Sequence, residues 1–474
     1  MNQSFIDSLR GAKCILFGAG VTGAPTLEFL KSNGAFVISV DEKVQDNGIK
    51  RTLDNEDLVG VSFAVVSPGW RVDHPLISLV RGAGIELISE IDLAWKVKEQ
   101  ICPNQRWIAL TGTNGKTTTI QMLESMLVES GINAKACGNV GYTAIEAVVK
   151  SNADILALEL SSFQLEWSNL AHFESAAILN IAEDHIDWHQ SFENYLSAKL
   201  KIAELADLVI LNKDDQHLAK SGKNISKPIT WISLQVPSKG EIGLVENIIV
   251  DRAFIKGDAE ALFELGDVTP SVGHNVSNAM AAAALARSVG AKPDAIAQGL
   301  RNFKLDHHRL EVVHKSGGIT FINDSKATNP HAAIAALYSQ MESIWIAGGL
   351  AKGAAMDELA QRCKSRIKAA ILIGSDAPII KAALLKQSPN LAIYTTDLNL
   401  KGIDVMHSVM SIVKEIAVSG DVVLLAPACA SMDQFKNYAD RGESFTLAAR
   451  QAFGIGYGAQ RLISKVVARI WQLF

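Results

Sequence analysis

The stretch WIALTGTNGKTTT, residues 107–119, passes from an apolar, strand-like run into a loop of glycine, threonine, asparagine and lysine. Gly112 and Gly115 permit a tight turn whose backbone N–H groups point inward, Lys116 adds a compact positive charge, and Thr117 offers a hydroxyl suited to Mg2+. The following TIQMLESMLVES carries apolar side chains at 120, 123, 126 and 127, a helical spacing. A helix beginning there aims the positive end of its dipole at the loop. Strand, loop and helix in this order predict a phosphate-binding unit in which Gly112, Thr113, Asn114, Gly115, Lys116, Thr117 and Thr118 surround a nucleotide. The match to the general GxxxxGK[ST] pattern is partial, because Leu110 stands where the first glycine belongs. The plain alternative is a Gly/Thr-rich turn that holds no ligand.

Outward from this loop, short β-branched runs alternate with longer amphipathic stretches: KCILFG, AFVISV, FAVVS, RWIAL, DILALEL, AAILNI, LVILN, ITFIN, SIWIAG, AAILIG and DVVLLA. This is the rhythm of α/β architecture, with mostly parallel, doubly wound sheets buried on both faces. A chain of 474 residues exceeds what one core organises. Two polar seams, KEQICPNQR at 98–106 and FKLDHHRLE at 303–311, predict three domains over 1–100, 101–305 and 306–455, followed by an extension at 456–474. Residues 223–255 have shorter strands and more turn residues, and predict a small antiparallel insert.

The composition, 48% hydrophobic and 20% charged with a net charge of −5, is that of a globular protein without the basic field that drives nucleic-acid binding. Five scattered cysteines without a CxxC pair argue against a disulfide framework or a zinc site. MNQSFIDSLRG lacks the basic and apolar regions of a signal peptide, and no apolar run approaches the roughly 18 residues of a spanning helix. A cytoplasmic location is expected. In GYGAQRLISKVVARIWQLF, Arg461, Lys465 and Arg469 recur every four residues among apolar neighbours, which predicts a basic amphipathic helix. It is expected to pack on the third domain; contact with a membrane surface or a partner is the sharper alternative.

Carboxylates and imidazoles complete the chemistry. Glu159 closes the strand DILALEL at the carboxyl edge of a sheet, where ligands of open α/β folds bind, and is a candidate Mg2+ ligand; a strand-end glutamate facing solvent is the alternative. His185, in AEDHIDWH, follows AAILNI at another such edge. Near the N-terminus, FGAGVTG places Gly18, Gly20 and Gly23 in GxGxxG spacing after a strand, with Asp41 at the distance expected of a ribose-binding acid. Alone this suggests an NAD-linked oxidoreductase. The motif, however, recognises any diphosphate near a helix N-terminus, so a nucleotide-diphosphate substrate fits equally.

With both phosphate sites in view, the chain resembles the Mur ligase family from about residue 10 to about 450. The blocks that carry the resemblance are GTNGKTTT, GNVG (138–141), LELSSFQLE (158–166), EDH, SAKLKI, GHNVSNAMAA, HHRLE, NDSKATNP (323–330) and PACASMDQF (427–435). The last two resemble the branch that adds D-glutamate; a folylpolyglutamate synthase or another peptidoglycan ligase is the nearest rival. The resemblance implies three domains, a Rossmann-like UDP-binding domain, a central P-loop ATPase-like domain and a C-terminal Rossmann-like amino-acid-binding domain. It further implies ATP-dependent amide formation through an acyl phosphate on UDP-MurNAc-L-Ala, with two Mg2+ ions. A monomer is expected, with no nucleic-acid partner and no integral membrane segment.

Residue by residue, the resemblance gives Lys116 the β and γ phosphates, Thr117 and Glu159 one Mg2+, and His185 a second metal site. It makes Lys199 the carbamylated lysine, although composition alone suggests a solvated helix residue. Asn275 and Asn278 match adenine-side positions; Arg309 and Asp324 match residues that reach the nucleotide from the third domain. Gly18, Gly20, Thr22, Gly23, Asp41, Ser67, Pro68, Gly69 and Asn139 are expected at the UDP-sugar. Lys326, Thr328, Lys352 and Ser431 are expected at D-glutamate, where cations and hydroxyls suit two carboxylates. Glu42 and Lys43 depart from the hydroxyl residue and arginine that the family carries after its aspartate.

Overall fold

Each of the apolar runs quoted above forms a strand in the computed structural model, which describes residues 4–43 and 48–454. The predicted amphipathic extension at 456–474 lies outside the described residues.

The first sheet contains β1 (Lys13–Phe17), β2 (Phe36–Val40), β3 (Ile49–Lys50), β4 (Val61–Val66) and β5 (Glu86–Ser89) in the order β3-β2-β1-β4-β5. Its pairings are all parallel, so every connection must cross over, and α1 (Gly23–Ser32) makes the first crossing. Both faces are covered: Cys14, Leu16 and Val65 bury on one side, Ile15, Phe17 and Val66 on the other. α2 (Glu90–Ile101), capped by Ser89, leads out of this sheet.

The central sheet has β6 (Arg106–Thr111) in its interior, followed by α3 (Lys116–Glu129), β7 (Ala134–Gly138), α4 (Ala144–Lys150), β8 (Ile155–Glu159), α5 (Ser162–Trp167), β9 (Phe173–Ile178), α6 (Phe192–Glu204) and β10 (Ala206–Asn212). β11 (Ile229–Ser233), β12 (Glu241–Val245), β13 (Ile248–Asp251) and β14 (Glu260–Glu264) complete the order β14-β13-β12-β11-β10-β9-β6-β8-β7. The expected antiparallel insert is therefore corrected. β11 and β12 continue the parallel sheet, and only the β12–β13–β14 ladder is antiparallel. The reason is burial: Ile232, Ile242, Ile249 and Phe263 join the core that packs under α3, so the segment extends the sheet. The alanine-rich α7 (Gly273–Ser288) is buried almost all round in that core.

The third sheet runs β15 (Glu311–Ser316), β16 (Ile319–Asn323), β17 (Ser343–Gly348), β18 (Ile367–Ile373), β19 (Ala392–Thr395) and β20 (Val422–Leu425), ordered β15-β16-β20-β17-β18-β19. Only β15 is antiparallel to its neighbour. α8 (Tyr438–Ala452) covers one face with Phe445, Ala448 and Ala449.

The chain divides into two compact units, one holding residues up to Ile181 and Trp188–Lys304, the other Ala182–Asp187 and the chain from Leu305. The first two sheets thus share a unit. Trp167, at the end of α5, buries among Ile15, Phe17 and Val40 of the first sheet, and its indole N–H donates to the Trp70 carbonyl at 2.9 Å. The buried Asp92 carboxylate accepts the backbone N–H groups of Asn169 (2.9 Å), Leu170 (2.9 Å) and Ala171 (3.1 Å).

Candidate active site

The loop between β6 and α3 has the tight geometry its glycines suggested. Gly115 has φ +82°, and a Cβ there would lie 2.3 Å from Asn278 Oδ1, so only glycine fits between the loop and α7. Lys116 Nζ donates to the carbonyls of Gly112 (2.9 Å) and Thr113 (3.1 Å), lying back over the loop it serves. Asn278 and Asn275 are both buried on α7, and Asn275 Nδ2 donates to the Pro270 carbonyl at 3.1 Å.

Sequence reasoning missed the residue that clasps this loop. Asn180, just beyond β9, accepts the Asn114 N–H at Oδ1 (2.8 Å) and donates from Nδ2 to the Asn114 carbonyl (3.0 Å). Its own carbonyl takes the Thr113 N–H at 2.9 Å. Its position past a buried strand at a sheet's carboxyl edge was the available signal.

Glu159 sits one strand away, its register partner in β6 being Leu110. It is 1% exposed, which removes the solvent-facing alternative. Oε1 accepts from Asn139 Nδ2 at 3.0 Å, whereas Oε2 is buried without a hydrogen-bond partner among the described residues. A buried carboxylate oxygen with no donor is unfavourable by itself and suits a cation. The Glu159 backbone is gripped as well: Asn139 N–H donates to its carbonyl at 2.9 Å, and a Cβ on Gly138 would meet that carbonyl oxygen at 2.5 Å. Among the described residues no group of three His, Cys, Asp or Glu side chains forms a complete metal cage. One carboxylate beside a phosphate loop is instead the donor set that Mg2+ uses when substrate phosphates supply the rest.

Lys199 corrects the composition-based expectation of a solvated lysine. It is 2% exposed, with Nζ donating to the Gly112 carbonyl at 2.8 Å and lying 4.9 Å from the Tyr195 ring. Its neighbours explain why: α6 turns Tyr195, Lys199 and Ile202 inward, and Tyr195 Oη pairs with Thr113 Oγ1 at 2.8 Å. His189, whose ring centre lies 5.4 Å from that of Tyr195, bonds Ser162 Oγ at 2.9 Å.

In the first sheet, Gly18 has φ +94°, and a Cβ there would lie 2.8 Å from Ser67 Cβ; one on Gly23 would overlap the Gly18 carbonyl at 1.9 Å. Gly20 has open space within 4 Å, as a motif approached by a diphosphate requires. Thr22 precedes α1, and Ser67 N–H donates to the Phe17 carbonyl at 2.9 Å, which seats the Ser67–Pro68–Gly69 loop against β1. Asp41 holds the glycine loop itself, accepting Ala19 N–H at 2.9 Å. Glu42, one of the departures, pairs with His74 at 3.2 Å.

The remaining candidates lie in the second unit. His185 is on its Ala182–Asp187 segment, with φ +54° and its N–H on Asp184 Oδ1 at 3.0 Å. Asp324 follows β16; burial raises its carboxyl to about 7, while the Leu310 N–H and the Arg309 charge oppose that rise. Lys326 Nζ lies 3.8 Å from the Tyr438 ring centre, Thr328 is half-buried, Ser431 is buried, and Lys352 is exposed in the Gly348–Gly353 turn. What gathers these loops is Arg441 of α8, a second residue sequence reasoning missed. Fully buried, it donates from Nε to Ser325 Oγ (3.0 Å), and from its terminal nitrogens to the carbonyls of Ser325 (2.9 Å), Cys429 (3.1 Å) and Gly348 (3.4 Å). One guanidinium thus fastens NDSKATNP, GGLAKG and PACASMDQF together.

A phosphate loop over a parallel sheet, a buried carboxylate beside it and a second, diphosphate-type glycine loop define a nucleotide-handling α/β enzyme. The chain belongs to the Mur ligase family: the Mur ligase middle domain matches residues 110–286, and the Mur ligase glutamate ligase domain matches 308–429. It is 41% identical to the UDP-N-acetylmuramoylalanine--D-glutamate ligase of Thermobifida fusca, covering 94% of this chain and 100% of that one. It is 39% identical to the enzyme of the same name from Streptomyces avermitilis, covering 93% and 98%. Among solved structures, a pseudomurein peptide ligase type C from Methanothermus fervidus aligns with TM-score 0.58 at 19% identity, over 92% of this chain and 99% of that one. The MurF ligase of Thermotoga maritima in complex with ADP aligns at 0.57 and 15% identity, over 94% and 96%, a likeness of fold. Among the described residues no helix is long and apolar enough to cross a membrane.

Proposed function

We propose that this chain joins D-glutamate to UDP-N-acetylmuramoyl-L-alanine with ATP, in the cytoplasm, as a step of peptidoglycan precursor synthesis, and that it works as a monomer. The near-full-length similarity to D-glutamate ligases carries the reading.

A carboxylate is a poor electrophile, so activation comes first. An oxygen of the alanyl carboxylate attacks the γ-phosphorus of ATP, ADP leaves, and an acyl phosphate forms. The D-glutamate amine then attacks the acyl carbon, the tetrahedral intermediate expels phosphate, and the amine proton is lost as the amide forms. Catalysis is mainly alignment and charge neutralisation. We assign the loop Gly112–Thr118 to the ATP phosphates, with Lys116 as the charge on the β and γ groups, and Asn275, Asn278, Arg309 and Asp324 to the rest of the nucleotide. Gly18, Gly20, Thr22, Gly23, Asp41, Ser67–Gly69 and Asn139 are assigned to the UDP-sugar; Lys326, Thr328, Lys352 and Ser431 to D-glutamate. Thr117 and Glu159 would hold Mg2+, which when bound offsets phosphate charge, and His185 and a carbamylated Lys199 are assigned to metal positioning. The burial of Lys199 against the phosphate loop supports that assignment.

The test is ADP release with UDP-MurNAc-L-Ala in the presence of D-Glu, L-Glu, L-Lys or no amino acid. D-Glu-dependent ADP release is expected; its absence, or a nicotinamide-dependent absorbance change in its place, overturns the proposal.

A further inference from the structure

One buried carboxyl has no part in the chemistry above. Glu90, the first residue of α2, lies where the first sheet hands over to the central one, and is 1% exposed. Its Oε1 accepts from Gln164 Nε2 at 3.2 Å; its Oε2 is buried with no hydrogen-bond partner among the described residues. Gln164 is equally enclosed, at 2% exposure. Its Oε1 accepts both the backbone N–H (2.9 Å) and the hydroxyl (3.0 Å) of Ser161. Two donors on the amide oxygen leave only the NH2 side to face Glu90, so the amide has one orientation. Ser161 returns the grip by accepting Gln164 N–H at 3.2 Å, closing the first turn of α5. Ser161 stands two residues after Glu159, whose own side chain accepts from Asn139 Nδ2 at 3.0 Å.

An apolar residue at 90 would fill this space without leaving a carboxyl oxygen unpaired, and the unpaired oxygen carries a desolvation cost. The compensating feature is that Glu90 is the acceptor for Gln164 Nε2. Without it the amide is held from the Ser161 side alone, the side-chain acceptor of the Ser161 N–H is less firmly placed, and the chain leaving Glu159 loosens. We propose that Glu90 is a positioning residue: through Gln164 and Ser161 it holds the turn after Glu159 and so sets the direction of the carboxylate assigned to Mg2+. The inference rests on that assignment of Glu159. It makes α2, which leads out of the UDP-binding sheet, a support of the nucleotide site.

Four variants test it: Glu90→Gln, Glu90→Ala, Gln164→Met and Glu159→Ala. The readout is the affinity for a non-hydrolysable ATP analogue with and without Mg2+, by calorimetry, alongside kcat, KM for the UDP substrate and the melting temperature. Outer partners of metal ligands typically matter by about ten- to a hundredfold. Glu90→Ala and Gln164→Met are expected to lose about tenfold of the Mg2+-dependent gain in affinity and a similar factor in kcat, with KM for the UDP substrate unchanged. Glu90→Gln, which keeps the acceptor, is expected to retain both, and Gln164→Met with Glu90→Gln carries the test if Glu90→Ala does not fold. If Glu159→Ala abolishes the Mg2+ gain while Glu90→Ala and Gln164→Met keep it, the positioning role is overturned and the metal assignment stands. If Glu159→Ala itself keeps the gain, the assignment falls and takes this inference with it.

Discussion

Lys199 lies in a buried niche formed by the Gly112 carbonyl, Thr111 Oγ1 and the Tyr195 ring, with its Nζ against the phosphate loop. If a carbamate is carried there, Lys199→Ala loses most ADP-forming activity and regains part of it with added acetate or formate; ADP release with and without these carboxylates decides the point, and loss without rescue removes the carbamate from the account. Glu90 makes a second prediction, about pH. Burial raises its carboxyl from 4.5 to about 7, the Glu146 charge adds to this, and the Gln164 hydrogen bond opposes it. Across α4 and β7 the titratable groups that face it are Glu146 and the Cys137 thiol. Between pH 4.5 and about 7 the unfolded chain binds fewer protons at this site than the folded one, so the unfolding free energy falls as pH rises and levels off above that window. Glu90→Gln removes the effect. Relative to the parent it should gain on the order of 3 kcal/mol between the two ends of the window, a figure that follows from the raised carboxyl. Urea unfolding of both proteins across that range measures it, and a constant difference would contradict the assignment of the raised acid.

At the scale of elements, loops are shaped by what cannot fit. Gly115 combines a left-handed backbone with Asn278 pressed against its Cα. Gly115→Ala is expected to cost about 1–2 kcal/mol from backbone conformation alone, and to weaken ATP binding because either the loop or Asn278 must shift. Unfolding curves and nucleotide titration test the two parts separately. In the second unit one side chain adds to the backbone bonds that join three loops. Burial pushes Arg441 down to about 9, and its donors meet carbonyl and hydroxyl oxygens of segments that backbone hydrogen bonds also join, Gly348 N–H to the Pro427 carbonyl at 2.8 Å and Ala428 N–H to the Ala327 carbonyl at 2.9 Å among them. Arg441→Met removes these donors at about 1–3 kcal/mol for each acceptor left unpaired. The expected kinetic signature is a KM for D-glutamate raised at least about tenfold, with a smaller change for the UDP substrate; equal changes would deny that these loops form the amino-acid site.

At the scale of the molecule, the first two sheets share one unit, in which Trp167 of the central one is buried in the core of the first and Asp92 collects three backbone N–H groups across the junction. Trp167→Ala should cost about 3–5 kcal/mol as a large buried side chain is lost. Calorimetry is expected to show the first sheet melting ahead of the central one in the variant and together with it in the parent. An unsplit transition at the parent temperature would mean that the junction rests on other contacts.

The amino-acid sequence by itself determined the α/β class, the major strands and both glycine-rich loops, because these depend on local physics: side-chain alternation, helical spacing, and the left-handed backbone that glycine alone adopts easily. It also carried the family. The weaker strands β5 and β7 escaped, since Glu86 and Lys135 break their apolar pattern, and the parallel ladder with the burial of Ile88 and Ala136 places them. The tertiary structure decided the burial of Lys199, the clasp of Asn180, the joining of loops by Arg441 and the support of Gln164 by Glu90. Those polar groups find their partners far along the chain, 74 residues away for Glu90 and 116 for Arg441 with Ser325. A polar side chain reads as solvated until the fold shows what encloses it, because burial and pairing belong to the packed chain and leave no periodic trace in the sequence.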